Sequence, residues 1–441
     1  MYMLKVAKFG GSSVANAEQF QKVKEIVLSD KSRSIIVTSA SGKSDQNDSK
    51  LTDLLYLLYE HYKYGVDAEM IIDKISGKLS SIQKELNLSS KLMDEFSDYV
   101  ESISSRTHLD EIVSRGEYFT AKLLSEYLSY YFVDAKDLII FNYDLSLNYQ
   151  AMEERLYKVL RDTPKIVVPG FYGSLPNGDI KIMDRGGSDI TGSILANLSN
   201  ASCYENWTDV SGILKADPRI INNPKQIDVI TYDELRELSY MGASVLHEEA
   251  IFPVKEKNIP IQILNTNDPT NKGTTILNTV ETERKQEITG IAGKKDFSII
   301  TIFKAHMSNE RGTLLAALRV LDTYQLRVEH IPTGIDMFSL VIETKHLENS
   351  LYEVLGKLQE ACNSDRIDVV HEISLIAVVS RFMKQKTGMS GRLFGSLGSK
   401  GINISLISQT SDESNIIVGV NNEDYDKTIQ TIYHEFEGGV A

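Results

Sequence analysis

Only two cysteines occur in the 441 residues, Cys203 and Cys362, and neither has companion ligands nearby. That scarcity excludes a disulfide framework and a zinc site. Both read as small buried apolar residues in a reducing compartment. A basic excess is also missing: 47 Lys and Arg against 61 Asp and Glu leave a net charge of −14. Nucleic acid is therefore disfavoured as the main partner, because neutralising phosphates needs a basic face. A small anionic substrate held by a few local cations stays compatible. No apolar run approaches a membrane span, and the N-terminus lacks a basic–apolar–small leader pattern, so no membrane partner and a cytoplasmic setting are expected. No strand opens a convincing G-x-G-x-x-G, which argues against a dinucleotide-dependent oxidoreductase. Ser39-Ala-Ser-Gly-Lys-Ser44 is not a Walker loop either, since Val37 stands where that loop needs glycine.

What is present is an ordinary globular composition, 42% apolar and 24% charged, long enough for two or three domains. The first part alternates strand-like and helix-like stretches: strands at 4–9, 34–38, 138–141 and 165–170, with a helix over 149–161. Asn16 is placed to cap a helix whose Phe20, Val23, Ile26 and Val27 recur at helical spacing. Such alternation argues for a mostly parallel sheet covered on both faces. Residues 66–112 read as a largely helical excursion. A first domain is expected to end near 282–285.

The C-terminal part repeats itself. A shift of 76 positions lays Ser298-Ile-Ile-Thr-Ile-Phe303 on Ser374-Leu-Ile-Ala-Val-Val379 without a gap, Met307 on Met383, Gly312 on Gly388 and Leu321 on Leu397. Each copy reads strand, glycine, helix, strand, turn, strand, a ferredoxin-like βαββ pattern.

Two stretches stand out chemically. In Leu4-Lys-Val-Ala-Lys-Phe-Gly-Gly-Ser12 an apolar strand delivers Lys8 to Gly10 and Gly11; in Ile182-Met-Asp-Arg-Gly-Gly-Ser-Asp-Ile190 an arginine, two glycines, a serine and an aspartate are consecutive. Glycine pairs let backbone N–H groups approach an anion, and a following helix presents its positive end. Lys8 at the carboxyl edge of a sheet suits transferring phosphate oxygens, and Arg185 suits a carboxylate or phosphate. Asp189 either supports reacting groups or caps the next helix. Ser114-Arg-Gly-Glu117 adds a cation–carboxylate cluster, or else a surface turn. Trp207-Thr-Asp-Val-Ser-Gly212 and Ala216-Asp-Pro-Arg219 are placed to meet a nucleotide, or else form Asx and Pro turns. Met241-Gly-Ala-Ser-Val-Leu-His247 reads as a helix with small residues facing a neighbour, His247 being structural. With no His or Cys cluster, any metal is Mg²⁺, carried by nucleotide phosphates and one or two carboxylates.

In this order, KFGGSS, VSRGE at 113–117, DRGGSD at 184–189, WTDVSGI at 207–213, ADPR at 216–219 and GASVLH at 242–247 resemble the aspartate kinases of the amino-acid-kinase family. The paired repeat resembles that family's two ACT domains, so the likeness covers essentially the whole chain. It implies an open αβα sandwich over 1–285 followed by two ferredoxin-like ACT domains at 290–372 and 373–441, with strands exchanged between them as one option. The implied reaction is phosphorylation of L-aspartate by ATP with Mg to 4-phospho-L-aspartate, the first step toward lysine, threonine and methionine. By the same resemblance, Lys8 contacts the transferring phosphoryl group and Asp189 organises the reacting centre. Thr52, Glu117, Arg185 and Ser188 hold aspartate, Glu117 at its ammonium and Arg185 at its α-carboxylate. Gly10, Gly11, Ser12, Thr208, Asp209, Leu214, Arg219 and Ser244 join Lys8 around ATP. Met307, Gly312, Leu314, Val328 and Glu329 form an effector pocket for lysine or threonine, and the ACT units pair chains into a homodimer or homotetramer.

Three departures follow. Ser12 stands where threonine is common and Glu248 where proline is usual. Ser244 stands where the family places a nucleotide-contacting lysine, which implies a raised KM for ATP, restored by Ser244→Lys, unless Lys215 or Arg219 compensates. The chain is expected to be monofunctional, with no dehydrogenase segment after the second repeat. The alternatives are a relative acting on another amino acid such as glutamate, and a degenerate kinase kept as an amino-acid-binding regulatory subunit.

Overall fold

The computed structural model describes residues 3–184, 186–243, 246–280, 287–383, 386–409 and 414–438. Arg185, Ser244 and the expected domain end at 282–285 lie outside the described residues. The chain divides into two compact units: Met1–Ile213 with Gln226–Asp233 and Val245–Glu281, and Leu214–Lys225 with Glu234–Ser244 and Thr282–Ala441.

The first unit is built on an eight-stranded sheet. From one edge its order is Val229–Thr231, Thr274–Leu277, Ile261–Asn265, Cys203–Thr208, Lys5–Phe9, Arg33–Thr38, Ile166–Pro169 and Tyr131–Phe132. All neighbours are parallel except Ile261–Asn265 with Thr274–Leu277. Successive strand residues face opposite sides, yet Val6, Ala7, Ile35, Ile36 and Val37 are all fully buried. Helices must therefore cover both faces, as an open αβα sandwich requires. Lys5–Phe9 is the strand from which the chain winds outward in both directions. Its carboxyl end is thus a switch point, where ligand crevices form.

Asn16 does cap the helix Ala17–Ser29, accepting from the Gln19 N–H at 3.0 Å. The excursion is helical as expected, over Glu69–Glu85 and Lys91–Ser102. Three local expectations fail. At 138–141 there is no strand: Asp134 accepts from the Lys136 N–H and starts the short helix Ala135–Leu138, leaving Ile140 and Phe141 in isolated bridges. Ser114–Glu117 is not a surface turn; it lies inside the helix Leu109–Leu128, with Ser114, Gly116 and Glu117 buried. Nor does a helix run from 241: Tyr232–Tyr240 ends first, and Gly242 takes φ +101°, a conformation no helix continues.

In the second unit a five-stranded antiparallel sheet has the order Met337–Glu343, Gly290–Phe303, Arg366–Val379, Asn415–Asn421, Leu406–Ser408. The repeat is real at the backbone level. Helices Thr313–Thr323 and Met389–Ser399 each follow a glycine of nearly identical φ, Gly312 at +92° and Gly388 at +90°. The central strands Gly290–Phe303 and Arg366–Val379 serve both copies. Ile291 packs in the apolar cluster of the second copy, with Leu393, Ile429 and Ile432, while Ile367 and Val369 pack on the first, with Leu321, Leu358 and Cys362. Ala216 and Ile221 also join the second cluster.

Candidate active site

The carboxyl ends of the central strands open into a cavity of about 1280 Å³. It is lined by Lys8, Gly11, Ser12, Thr52, Glu117, Ser188, Asp189 and Asp209 among the residues singled out by sequence. Strand register explains the first contact. Lys8 lies beside Asn206 in the neighbouring parallel strand, and its ammonium reaches Asp189 Oδ1 at 2.5 Å and Asn206 Oδ1 at 3.4 Å. The Asn206 amide in turn donates to Asp189 Oδ1 at 3.1 Å. Asp189 is therefore the partner of Lys8 and not a cap; the N-cap position of helix Gly187–Leu198 belongs to Gly186, with no side-chain capping bond. That helix directs its first turn, Gly187 to Asp189, at the cavity wall, where its free N–H groups favour anions.

Close backbone approach shapes the floor. The Gly42 N–H donates to Gly11 O at 2.8 Å, and a Cβ on Gly42 would lie 2.6 Å from the Gly11 carbonyl carbon. Gly186, at φ +80°, sits against the His247 side chain, whose ring Cγ is 2.5 Å from where a Cβ on Gly186 would be. His247 thus buttresses the glycine turn, a structural role. Phe171, also in the cavity wall, holds φ +78°, an uncommon conformation for a bulky residue that marks local strain.

Glu117 carries the unusual electrostatics. Its carboxyl is buried in the cavity wall, and Oε2 has no hydrogen-bond partner among the described residues. Burial pushes its pKa up to about 8 despite a hydrogen bond from the Ala40 N–H. A buried carboxylate oxygen without a donor favours a cation that brings its own donors. Beneath the site, Glu205 binds Arg33 at 2.6 Å, Lys5 at 2.9 Å and the single tryptophan, Trp207, through Nε1 at 2.9 Å. This buried network fixes the strand that presents Asn206.

Similarity searches agree with that geometry. The model of the amino acid kinase family matches residues 3–265, and an ACT domain model matches 376–436. Aspartokinase 3 of Bacillus subtilis is 35% identical, over 99% of each chain. The chain belongs to the aspartokinases of the amino acid kinase family. The crystal structure of aspartate kinase from Clostridium acetobutylicum superposes with a TM-score of 0.91 at 43% identity, covering 98% of this chain and all of that one. Escherichia coli aspartokinase III, solved in complex with aspartate and ADP as the R-state and with lysine and aspartate as the T-state, gives TM-scores of 0.75 and 0.77 at 26% and 27% identity. Both cover 98% of this chain and 99% of the other.

Other expected residues fall elsewhere on this aspartokinase. Gly10 donates to Trp207 O at 2.9 Å, beside Lys8. The Thr208 hydroxyl donates to Asp209 at 3.2 Å. Leu214 and Arg219 belong to the second unit, where Arg219 pairs with Asp217 at 2.6 Å and is otherwise exposed. Lys215, the cation expected to compensate for Ser244, is instead buried on Glu437 at 2.5 Å. In the first repeat Met307, Leu314 and Val328 are half-buried against its core, and Glu329 is nearly buried.

Several cavity residues carry no motif that sequence reading could use. Lys181 and Asp110 pair at 3.0 Å across 71 positions, and Lys50 and Tyr56 line the same space. Lys43 belongs to the segment rejected as a Walker loop, yet that segment does line the cavity. Its Gly-Lys pair was the available signal. Both cysteines are buried and free, and burial pushes the Cys203 thiol up to about 12. Among the described residues no helix is long and apolar enough to cross a membrane, and no acidic or His/Cys cluster could hold a metal by itself.

Proposed function

We propose that this enzyme transfers the γ-phosphoryl group of ATP to the side-chain carboxylate of L-aspartate, giving 4-phospho-L-aspartate, and that an amino acid regulates it through the first repeat. The observation that carries the reading is the placement of Glu117. A buried carboxyl with one oxygen lacking a donor among the described residues lines the same cavity as the Lys8–Asp189 pair, so an ammonium and a phosphoryl group can be held in one space. Aspartate's β-carboxylate is ionised at neutral pH, and the reaction needs positioning and charge stabilisation more than a strong base.

In this reading Lys8 contacts the transferring phosphoryl oxygens while Asp189 keeps its ammonium aimed. Glu117 takes the α-ammonium, Arg185 the α-carboxylate, and Thr52 and Ser188 complete aspartate's hydrogen bonds. Gly10, Gly11, Ser12, Thr208 and Asp209 face the nucleotide, with Leu214, Arg219 and Ser244 assigned by family pattern. Lys43 and Lys50 add charge along the cavity. Asp184, Asp189 and Asp209 offer carboxylate oxygens in the lining that would help hold magnesium brought with ATP, which would offset phosphate charge. The catalytic domain spans 1–285 and the two ACT domains 290–372 and 373–441, working in the cytoplasm as a homodimer or homotetramer. Lysine or threonine is the effector, a choice supported by the E. coli enzyme's structure with lysine.

A coupled ADP-release assay tests it, run with aspartate, then glutamate, then aspartate plus lysine or threonine. Aspartate-dependent ADP formation, absent with glutamate, is expected. Thermal stabilisation by an amino acid without any ADP release would favour a binding-only protein.

A further inference from the structure

The helix Tyr232–Tyr240 carries three polar side chains at three-residue spacing, Glu234, Glu237 and Tyr240, which share one face. Within the second unit each grips a different part. Glu234 accepts from the Thr289 hydroxyl and from the Arg381 N–H at 3.1 Å, with the Arg381 guanidinium 3.4 Å from its other oxygen. Glu237 accepts from the Asn415 amide of the second repeat. The Tyr240 hydroxyl donates to Glu329 of the first repeat. Glu329 thus already has a donor from its own chain.

Its surroundings make that bond consequential. The Glu329 carboxylate is only 8% exposed, and the Arg327 guanidinium stands 3.9 Å away on a largely solvated side chain. Lys294 and Arg327 lie 5.1 and 5.4 Å from the centre of the Tyr240 ring. Burial and the bond to Glu329 push the Tyr240 phenol up to about 12, so it stays a donor at any working pH. A nearly buried carboxylate that loses its donor must find another or bear the desolvation cost.

We infer that Tyr240 belongs to the amino-acid effector site: it occupies Glu329 when the site is empty, and the ammonium of a bound amino acid displaces it. The inference rests on the proposed effector role of the first repeat. It adds a residue from outside the repeat and a competition at its carboxylate. Displacement frees the last residue of a helix that stays fastened through Glu234 and Glu237. The chain runs on from Tyr240 into 242–247, the stretch that the family pattern assigns to the nucleotide. Occupancy of Glu329 is thereby linked to the end of that helix, because the effector binds the displaced arrangement better.

The test uses the full chain with Tyr240→Phe, which keeps the ring and removes the donor, and Glu329→Gln. Lysine, threonine and the other amino acids are titrated by calorimetry, and inhibition of ADP formation is measured relative to each variant's own uninhibited rate. Tyr240→Phe is expected to bind the effector about ten- to hundredfold more tightly, the range set by losing one competing charge-assisted hydrogen bond. Its maximal inhibition should shrink, because no bond is left to break. Glu329→Gln should abolish binding. Binding by Tyr240→Phe alone, with a silent wild type, would support the displacement still more strongly. Equal affinity and equal inhibition in wild type and Tyr240→Phe would overturn the inference while leaving the effector reading intact. Unchanged binding in Glu329→Gln, or no binding by any form, would remove the effector reading and the inference together.

Discussion

Two buried glutamates sit in opposite predicaments. Glu117, in the first unit, has an oxygen with no hydrogen-bond partner and a pKa pushed up to about 8 by burial. Glu329, in the second, is nearly as enclosed but accepts from Tyr240. On the roles proposed for them, the difference separates a site that waits for a ligand from one that exchanges partners. An empty carboxyl stores unfavourable desolvation that an incoming ammonium relieves, which favours affinity. A capped one yields only the difference between two donors, which favours modulation. The second repeat adds a third case: Ser405, the counterpart of Glu329 under the 76-residue shift, is exposed and has no carboxylate to satisfy.

The largest effect tests the neighbour that gives Glu117 its meaning. Lys8→Met is expected to lower kcat by about 10³-fold with a smaller change in aspartate KM, as for loss of a charge acting on the transition state; steady-state kinetics checks it. A loss confined to KM would detach the Lys8–Asp189 pair from chemistry. Next, Glu117→Gln should raise aspartate KM by about 10²-fold, the scale for breaking a desolvated charge pair, with the ATP KM little moved.

Smaller, but more diagnostic, is pH. In the empty site Glu117 holds its proton to about pH 8, whereas the unfolded carboxyl titrates near 4.5. Binding an ammonium expels that proton, so aspartate KM should fall about fivefold or more from pH 7 to 8 and then level. Stability runs the other way. The folded chain carries the extra proton between pH 4.5 and 8, so this carboxyl's contribution falls as pH rises through that window. Glu117→Gln should flatten both profiles, and a wild-type KM insensitive to pH over this range would contradict the assignment. The smallest expected effect is at the second repeat. Ser405→Ala should leave effector affinity within about twofold, as for an exposed side chain with no partner; a clear loss would mean both copies bind.

Sequence made the sheet and the repeat legible because their signals are local. Apolar alternation located Lys5–Phe9, Arg33–Thr38 and Ile166–Pro169, and one fixed shift brought out Gly312 and Gly388 as equivalent helix starts. Lys8, Thr52, Ser188 and Asp189 converge on the cavity because they sit at strand ends and first helical turns, where position along the chain dictates position in space. Lys181–Asp110 was invisible for the converse reason: neither residue means anything until 71 positions are folded back. Local propensity misled at 241–247, where small residues suggested a helix but Gly242 adopts a left-handed conformation. It misled again at Ser114–Glu117, whose charges suggested a surface turn although long-range packing buries the segment.

The strands shared by the two repeats impose a schedule on synthesis. Among the described strands, Gly290–Lys294 pairs with Leu375–Val379, and its apolar neighbours continue to Phe436. A ribosome adding about 5–20 residues per second leaves that strand waiting for on the order of ten seconds before its cluster can close. Ala216 and Ile221 wait longer still. During that interval the nascent chain exposes an unpaired edge, and a nonsense codon between Val369 and Phe436 would leave the first repeat's cluster whole while depriving the second of a finished core.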